Sequence, residues 1–341
     1  MAAAIDPARR GLLEWRAMSN ETHSQPYRQT VSDIKPGVRF SGRLLVRAAQ
    51  VQSSKNGKPF LVLSLVDSTG GIQAKVWDWA GDPPAAGTIK QIEGRGDEYN
   101  GHLQLRIDKM APAEGDPAEF VPAAPETTQN MLAEISATVD ELRDESLRKI
   151  VRQLLDWALA NNLAAAPAAK TMHHATRGGL LHHTVMMLRA AKSLAAVYRF
   201  LDKDLLYAGV VAHDLAKLDE METDSLGLVS DYTRDGRLVG HIVRGVVNIE
   251  KAAACTGAAR ERATLLQHLV LSHHGEAEFG SPVPPKCPEA LVLSAIDRLD
   301  AKLYQMHDAL KGVKPGEFSP GVWALDRVEI YKPENPTPHE A

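Results

Sequence analysis

Hydrophobic periodicity changes once along this 341-residue chain, and the change dictates two different folds joined in series. Between Gly37 and Met110 apolar residues recur at every second position; between about Met131 and Lys311 they recur at every third or fourth. A strand turns alternate side chains to opposite faces, whereas a helix repeats after about 3.6 residues. Neither half can therefore take the other's backbone and still bury its apolar side chains. The expected organisation is a disordered extension over 1–29, an all-β domain over 30–112, a linker over 113–129, an all-α domain over 130–312 and an irregular tail over 313–341. Met18 is an alternative start within the extension.

The first half resolves into five short strands. In "PFLVLSLVD" Leu61, Leu63 and Leu65 share one face, and Phe60, Val62 and Ser64 the other. "GIQAKVWDW" turns Ile72, Ala74 and Val76 inward, and "GHLQLRIDK" does the same with Leu103, Leu105 and Ile107. "VRFSGRLLVRAAQ" and "TIKQIEGRGDEY" complete the set. The Asn-Gly pairs in "KNGK" and "YNGH" read as tight hairpin turns. Five strands of this length, taken as antiparallel, suit a small closed barrel of the oligonucleotide-binding (OB) type. "APAEGDPAEFVPAAPETTQ", residues 111–129, is rich in Pro, Ala and Glu and reads as the connection. The second half reads as a helical bundle that includes "DLLYAGVVAHDLAKL", "GHIVRGVVNIEKAAA", "ARERATLLQHLVLSHH" and "PEALVLSAIDRLDAKLYQMHDAL".

Composition excludes several classes. A net charge of −4 argues against a globally basic nucleic-acid binder, although local patches remain open. The two cysteines, Cys255 and Cys287, have neither the number nor the spacing of a disulfide framework, which points to a reducing cytosol. No run of about 18 apolar residues occurs, so no membrane-spanning helix and no membrane partner are expected.

Thirteen histidines are present and nine fall between His173 and His274. His183, His213–Asp214, His241, His273–His274 and Asp297 each lie in or beside apolar helical sequence, where a polar side chain must be paired or coordinated. Any one of them alone is an ordinary hydrogen-bonded histidine. Five segments converging on one core suggest a metal centre inside a bundle. Imidazole with carboxylate suits hydrolytic Mn, Co, Fe or Zn. On a helical wheel the stripe Val292, Ile296, Leu299 and Leu303 lies closer to Asp300 than to Asp297, so spacing does not choose between these two acids. Lys217 follows His213 by one turn and is placed to neutralise charge on a phosphate.

The order H…HD…H…HH…D resembles the HD-domain superfamily of metal-dependent phosphohydrolases. With the barrel in front of it, the arrangement is similar to the YhaM-type 3′→5′ exoribonucleases, which join an OB domain to an HD domain. "SSKNGKPFLVLSLVDSTGGIQAKVWD", "AAKTMHHATRGGLLHHT", "DLLYAGVVAHDLAK", "LSHHG" and "AIDRLDAKL" carry the resemblance over roughly residues 30–325. Ala216 departs from the glycine common in the family's "HD-x-G-K" stretch. The resemblance implies two divalent ions per chain, with Mn²⁺ first among the candidates. One would take His183, His213, Asp214 and Asp297, and the other His241, His273 and His274, with Asp214 as a bridge. Such a site makes Asp214 and Lys217 the catalytic candidates. His173, His174 and Arg177 are candidates for holding the substrate phosphate or terminal ribose, with helix-cap or surface roles equally open.

The outer barrel face offers Phe60 and Trp77 beside Lys55, Lys58 and Lys75, aromatics for bases and cations for phosphates. From Gly37 to Met110 ten Lys/Arg meet seven Asp/Glu, a local excess of three. Packing of Phe60 and Trp77 against the helical domain is the competing reading. The expected activity is a metal-dependent 3′→5′ exoribonuclease on single-stranded RNA, with single-stranded DNA and homo-oligomerisation open. The alternatives are a phosphodiesterase or nucleotidase for small or cyclic nucleotides, and a non-catalytic nucleic-acid-binding regulator.

Overall fold

The computed structural model describes residues 29–334 apart from 55, 100–101, 170–175, 225–226 and 228. The extension up to residue 28, Lys55, the Asn100–Gly101 turn, His173 and His174 therefore lie outside the described residues. The chain divides after Phe120 into two compact units.

In the first unit β1 (Arg39–Ser53), β2 (Pro59–Asp67), β3 (Gly70–Trp77), β4 (Ile89–Tyr99) and β5 (His102–Pro112) close into a barrel in the order β1-β2-β3-β5-β4. The sequence reading takes all five strands as antiparallel; the seam between β3 and β5 is parallel. The route of the chain requires it. After β3 the chain leaves the sheet, returns as β4 antiparallel to β1, and turns back as β5, which then runs with β3. This is the OB topology. Leu61, Leu63, Leu65, Ala74, Ile92 and Leu105 are fully buried inside it. Each leucine contributes on the order of 2 kcal/mol by leaving water. Leu103, expected inside, is 40% exposed. It precedes the stretch Gln104–Arg106 that pairs with β3, so no opposing wall covers it. At Gly94, where the β4–β5 register shifts, an added Cβ would overlap the Arg106 carbonyl, and this bare backbone lets β4 coil tightly. Part of the expected linker is packed: Phe120 is buried, and the Arg43 guanidinium lies 5.8 Å from its ring centroid.

The second unit contains α1 (Thr128–Asp140), α2 (Glu145–Ala160), α3 (Gly179–Val197), α4 (Lys203–Ala212), α5 (Lys217–Glu220), α6 (Arg234–Thr256), α7 (Arg260–Ser272) and α8 (Pro288–Ala309). A hairpin of β6 (Met221–Thr223) and β7 (Val229–Tyr232), not anticipated from periodicity, separates α5 from α6. Thr127, Asp144, Asp202 and Thr233 cap four of the helices by accepting a backbone N–H of the first turn. α4 buries Leu205, Leu206, Ala208, Val210 and Val211 and packs against α2, α3, α7 and α8. A helix apolar on all sides belongs in the middle of a bundle, and the ends of α4 and its neighbours carry the polar cluster. The expected irregular tail is partly paired, with bridges Phe318–Tyr331 and Val322–Val328.

Candidate metal centre

His213 and Asp214 do not lie within a helix, as the sequence reading has them; α4 stops at Ala212 and both residues fall in the turn before α5. His273 and His274 occupy the same place after α7. One local device serves both. His213 Nδ1–H donates to the Val210 carbonyl at 2.8 Å, and His273 Nδ1–H to the Val270 carbonyl at 2.6 Å. A carbonyl only accepts, so each Nδ1 carries the proton and each Nε2 turns a lone pair into the cluster. The negative ends of two helix dipoles also point there, which favours a cation.

The other two rings are held by carboxylates. His183, the fifth residue of α3, bonds through Nδ1 to Asp300 Oδ2 at 2.7 Å. His241 bonds through Nδ1 to Glu220 Oε2 at 3.0 Å. Its placement depends on Gly240, whose φ of 73° breaks the regular winding of α6 immediately before it. Nothing in the sequence marks Glu220: a glutamate three residues after Lys217 carries no signal until the α5 chain end folds beside α6.

Asp214 stands between these rings. Its Oδ2 lies 3.3 Å from His213 Nε2 and 3.8 Å from His183 Nε2, while its Oδ1 lies 3.4 Å from His241 Nε2 and 3.7 Å from His273 Nε2. Lys217 Nζ meets Oδ2 at 2.6 Å. Asp297 Oδ1 faces His183 Nε2 at 3.3 Å, so Asp297 lies on the inner side of that ring and Asp300 on the outer. The helical-wheel stripe in α8 pointed elsewhere because Leu299 and Leu303 are exposed; the buried face is Ala290, Leu293 and Ile296. His274 completes the second side, its ring centroid 4.2 Å from that of His273 and 5.5 Å from that of His241.

Two groups with ligand atoms mutually within 4.8 Å result: His183, His213 and Asp214, and His241, His273 and His274. Nε2 of His213, His241 and His273 and Oδ1 of Asp214 are buried with no hydrogen-bond partner among the described residues. Imidazole lone pairs aimed at a carboxylate oxygen repel unless a proton or cation sits between them. The donor set and its orphaned atoms thus fit divalent ions.

Protons partly fill that role in the protein alone. Burial works against charge on His183, but Asp297, Asp300 and Asp214 outweigh it and push its pKa up to about 9. Burial and the neighbouring His213 hold His273 down at about 3. Against the cost of burial, Lys217, His213 and His241 hold Asp214 well below the usual carboxylate range.

A family model for the HD domain matches residues 180–302, the span from α3 into α8 that carries every ring and carboxylate above. The 3′-5′ exoribonuclease YhaM of Halalkalibacterium halodurans is 40% identical over 304 residues, 87% of this chain and 94% of that protein. This chain belongs to the YhaM family of 3′-5′ exoribonucleases. Membership of the YhaM family thus spans both the barrel and the helical unit. Among solved structures, the second OB-fold domain of replication protein A from Methanococcus maripaludis covers 26% of this chain and 97% of its own, at 21% identity and a TM-score of 0.21. A crystal structure of a domain of the same protein covers 26% and 98%, at 21% identity and a TM-score of 0.24.

The remaining sequence candidates lie elsewhere. Arg177 lines a cavity with Ala124, Glu126, Thr127 and Met131, and belongs to neither group of candidate ligands. On the barrel, Phe60 and Trp77 pair across β2 and β3 with ring centroids 5.0 Å apart, and Trp77 is 48% exposed. Lys75 Nζ lies 4.8 Å from the ring centroid of Tyr99, an exposed aromatic that sequence reading passed over. Lys58 forms an exposed ion pair with Asp78 at 3.3 Å. No helix among the described residues is long and apolar enough to cross a membrane.

Proposed function

We propose that this protein is a metal-dependent 3′→5′ exoribonuclease that hydrolyses the phosphodiester bonds of single-stranded RNA, with single-stranded DNA as a second substrate. The observation that carries the reading is Asp214, which presents one carboxylate oxygen to each of two histidine groups in a chain matched along most of its length by a 3′-5′ exoribonuclease. In this reading His183, His213, Asp214 and Asp297 hold one divalent ion, and His241, His273 and His274 hold the other with Asp214 shared. Mn²⁺ is the first candidate. Bound divalent ions would supply Lewis acidity there, lowering the pKa of water and neutralising charge on the entering and leaving oxygens of an in-line displacement.

The chain's own residues set up the rest. The four Nδ1 bonds fix ring tautomers before anything binds, so no reorganisation is needed at the Nε2 side. Lys217 is largely shielded from solvent yet keeps its proton because Asp214 outweighs the effect of burial, and its ammonium stands beside the candidate ligands. The barrel holds the strand, with Phe60 and Trp77 under bases and Lys58 and Lys75 near phosphates.

The test is a 5′-labelled single-stranded RNA incubated with purified protein and Mn²⁺. Stepwise shortening is expected, and Asp214→Asn should abolish it while the protein still melts in one cooperative transition. Turnover confined to dinucleotides or cyclic nucleotides would overturn the exonuclease reading in favour of a small-molecule phosphodiesterase.

A further inference from the structure

The barrel register places four cations in a single line across its outer surface. Lys75 on β3 is the partner of Arg106 on β5, Arg106 of Arg95 on β4, and Arg95 of Arg39 on β1. The three arginines are exposed and Lys75 is half-buried. Each step crosses one interstrand spacing, so the line covers roughly 14 Å.

This arrangement costs stability when nothing lies on it, because like charges directly opposite across strands repel. The fold does little to relieve that repulsion. Among the described residues none of the three arginines forms an ion pair. The acids two places either side of Arg95 on β4 are engaged otherwise: Glu93 faces Lys109 at 3.5 Å, and Asp97 accepts a hydrogen bond from Gln104 at 2.9 Å. Asp108 lines a cavity with Arg39 but is in no ion pair with it among the described residues. The chain as a whole is acidic, with net charge −4, so the row is not a sample of a generally basic surface. At its β3 end the row runs into Lys75 with Tyr99 beside it, and the Phe60–Trp77 pair stands on the same outer face of β2 and β3.

We infer that Arg39, Arg95, Arg106 and Lys75 form a track for the phosphates of single-stranded nucleic acid. The strand crosses β1, β4, β5 and β3 transverse to their direction and delivers its bases to the aromatic end at Trp77, Phe60 and Tyr99. A polyanion turns the cross-strand repulsion into attraction, and the aromatic end selects unpaired bases, whose faces are free to stack. The inference rests on the exoribonuclease reading only for the choice of RNA as the natural polymer. Through Arg39, Arg95 and Arg106 it extends the backbone path onto β1, β4 and β5, which Lys55, Lys58, Phe60, Lys75 and Trp77 do not reach.

The experiment measures binding of a labelled oligouridylate of about 15 nucleotides to the full chain in EDTA, as a function of KCl concentration. Each phosphate contact on a single strand adds about 0.7 to the slope of log affinity against log salt. The triple variant Arg39→Gln, Arg95→Gln, Arg106→Gln should flatten that slope by about 2 and melt no lower than wild type. An unchanged slope would overturn the track, as would equal flattening by Lys251→Gln on the helical unit. A duplex of the same length that binds as tightly and loses the same slope would overturn the single-strand assignment. If wild type degrades RNA while the slope is unchanged, the track fails and the exonuclease reading stands. If the slope flattens in a protein that cuts no RNA, the reverse holds.

Discussion

Replacing Asp300 by Asn separates the orienting role proposed for Asp300 from the ligand role proposed for Asp297. Asp300 accepts the Nδ1 proton of His183 at 2.7 Å, on the opposite side of the ring from Asp297 and Asp214. A hydrogen bond to a charged group is worth about 1.5–3 kcal/mol and a neutral one about 0.5–1.5. The substitution keeps a carbonyl able to accept the same proton, so it forfeits the difference, about 1–1.5 kcal/mol. That is on the order of tenfold in affinity for the ion proposed at His183, given that about 1.4 kcal/mol is a factor of ten. Asp297→Ala removes an oxygen that faces the Nε2 side and should lose that ion altogether. The assay is metal content per chain after equilibrium dialysis at defined free Mn²⁺, read without reference to activity. Raising free Mn²⁺ about tenfold should restore Asp300→Asn to wild-type occupancy and leave Asp297→Ala one ion short. Full occupancy in Asp297→Ala with an ion missing in Asp300→Asn would reverse the two roles and refute the reasoning.

Lys217→Ala leaves the buried Asp214 carboxylate without its 2.6 Å partner; loss of one member of a buried pair costs about 3–5 kcal/mol. The melting temperature of the metal-free protein should therefore fall further than that of the Mn²⁺-loaded protein, and equal falls would show that no ion compensates Asp214. Because His183 is pushed up to about 9, it is protonated near pH 7 in the metal-free protein and must shed that proton to ligate. Metal affinity should accordingly rise from pH 6 to pH 9, with proton uptake by the buffer seen as a buffer-dependent heat of binding; a flat profile would refute this. Gly236→Ala builds a Cβ onto the Glu220 carbonyl oxygen. Overpacking of this kind costs about 1–3 kcal/mol, and displacement of Glu220 from His241 should weaken the His241 site more than the His183 site in a two-ion titration.

Much of the barrel and the bundle is legible because their signals are local. Alternation places Leu61, Leu63 and Leu65 inside from their own neighbours in sequence, and their complete burial follows. The candidate ligand types and their order are legible for the same reason, since polar residues flanked by apolar helix have few acceptable uses. Local pattern failed where a local pattern ended. It ran α4 through His213–Asp214 because nothing in the residue types marks the last helical turn, and it buried Leu103 because alternation does not say where the facing strand stops.

What tertiary structure decided is everything that depends on residues far apart in sequence. Asp297 and Asp300 are equivalent on paper; the 117-residue separation between His183 and Asp300 is closed by packing of α3 on α8, and that packing assigns one acid to each side of the ring. Glu220 acquires its role only beside the Gly240 break, and the parallel β3–β5 seam only once β4 has returned to β1. The row of Arg39, Arg95, Arg106 and Lys75 exists in no window of the sequence. Sequence periodicity determines which face a side chain takes, because backbone geometry sets that residue by residue; strand register and helix packing determine what it faces, because they close loops that local geometry does not contain.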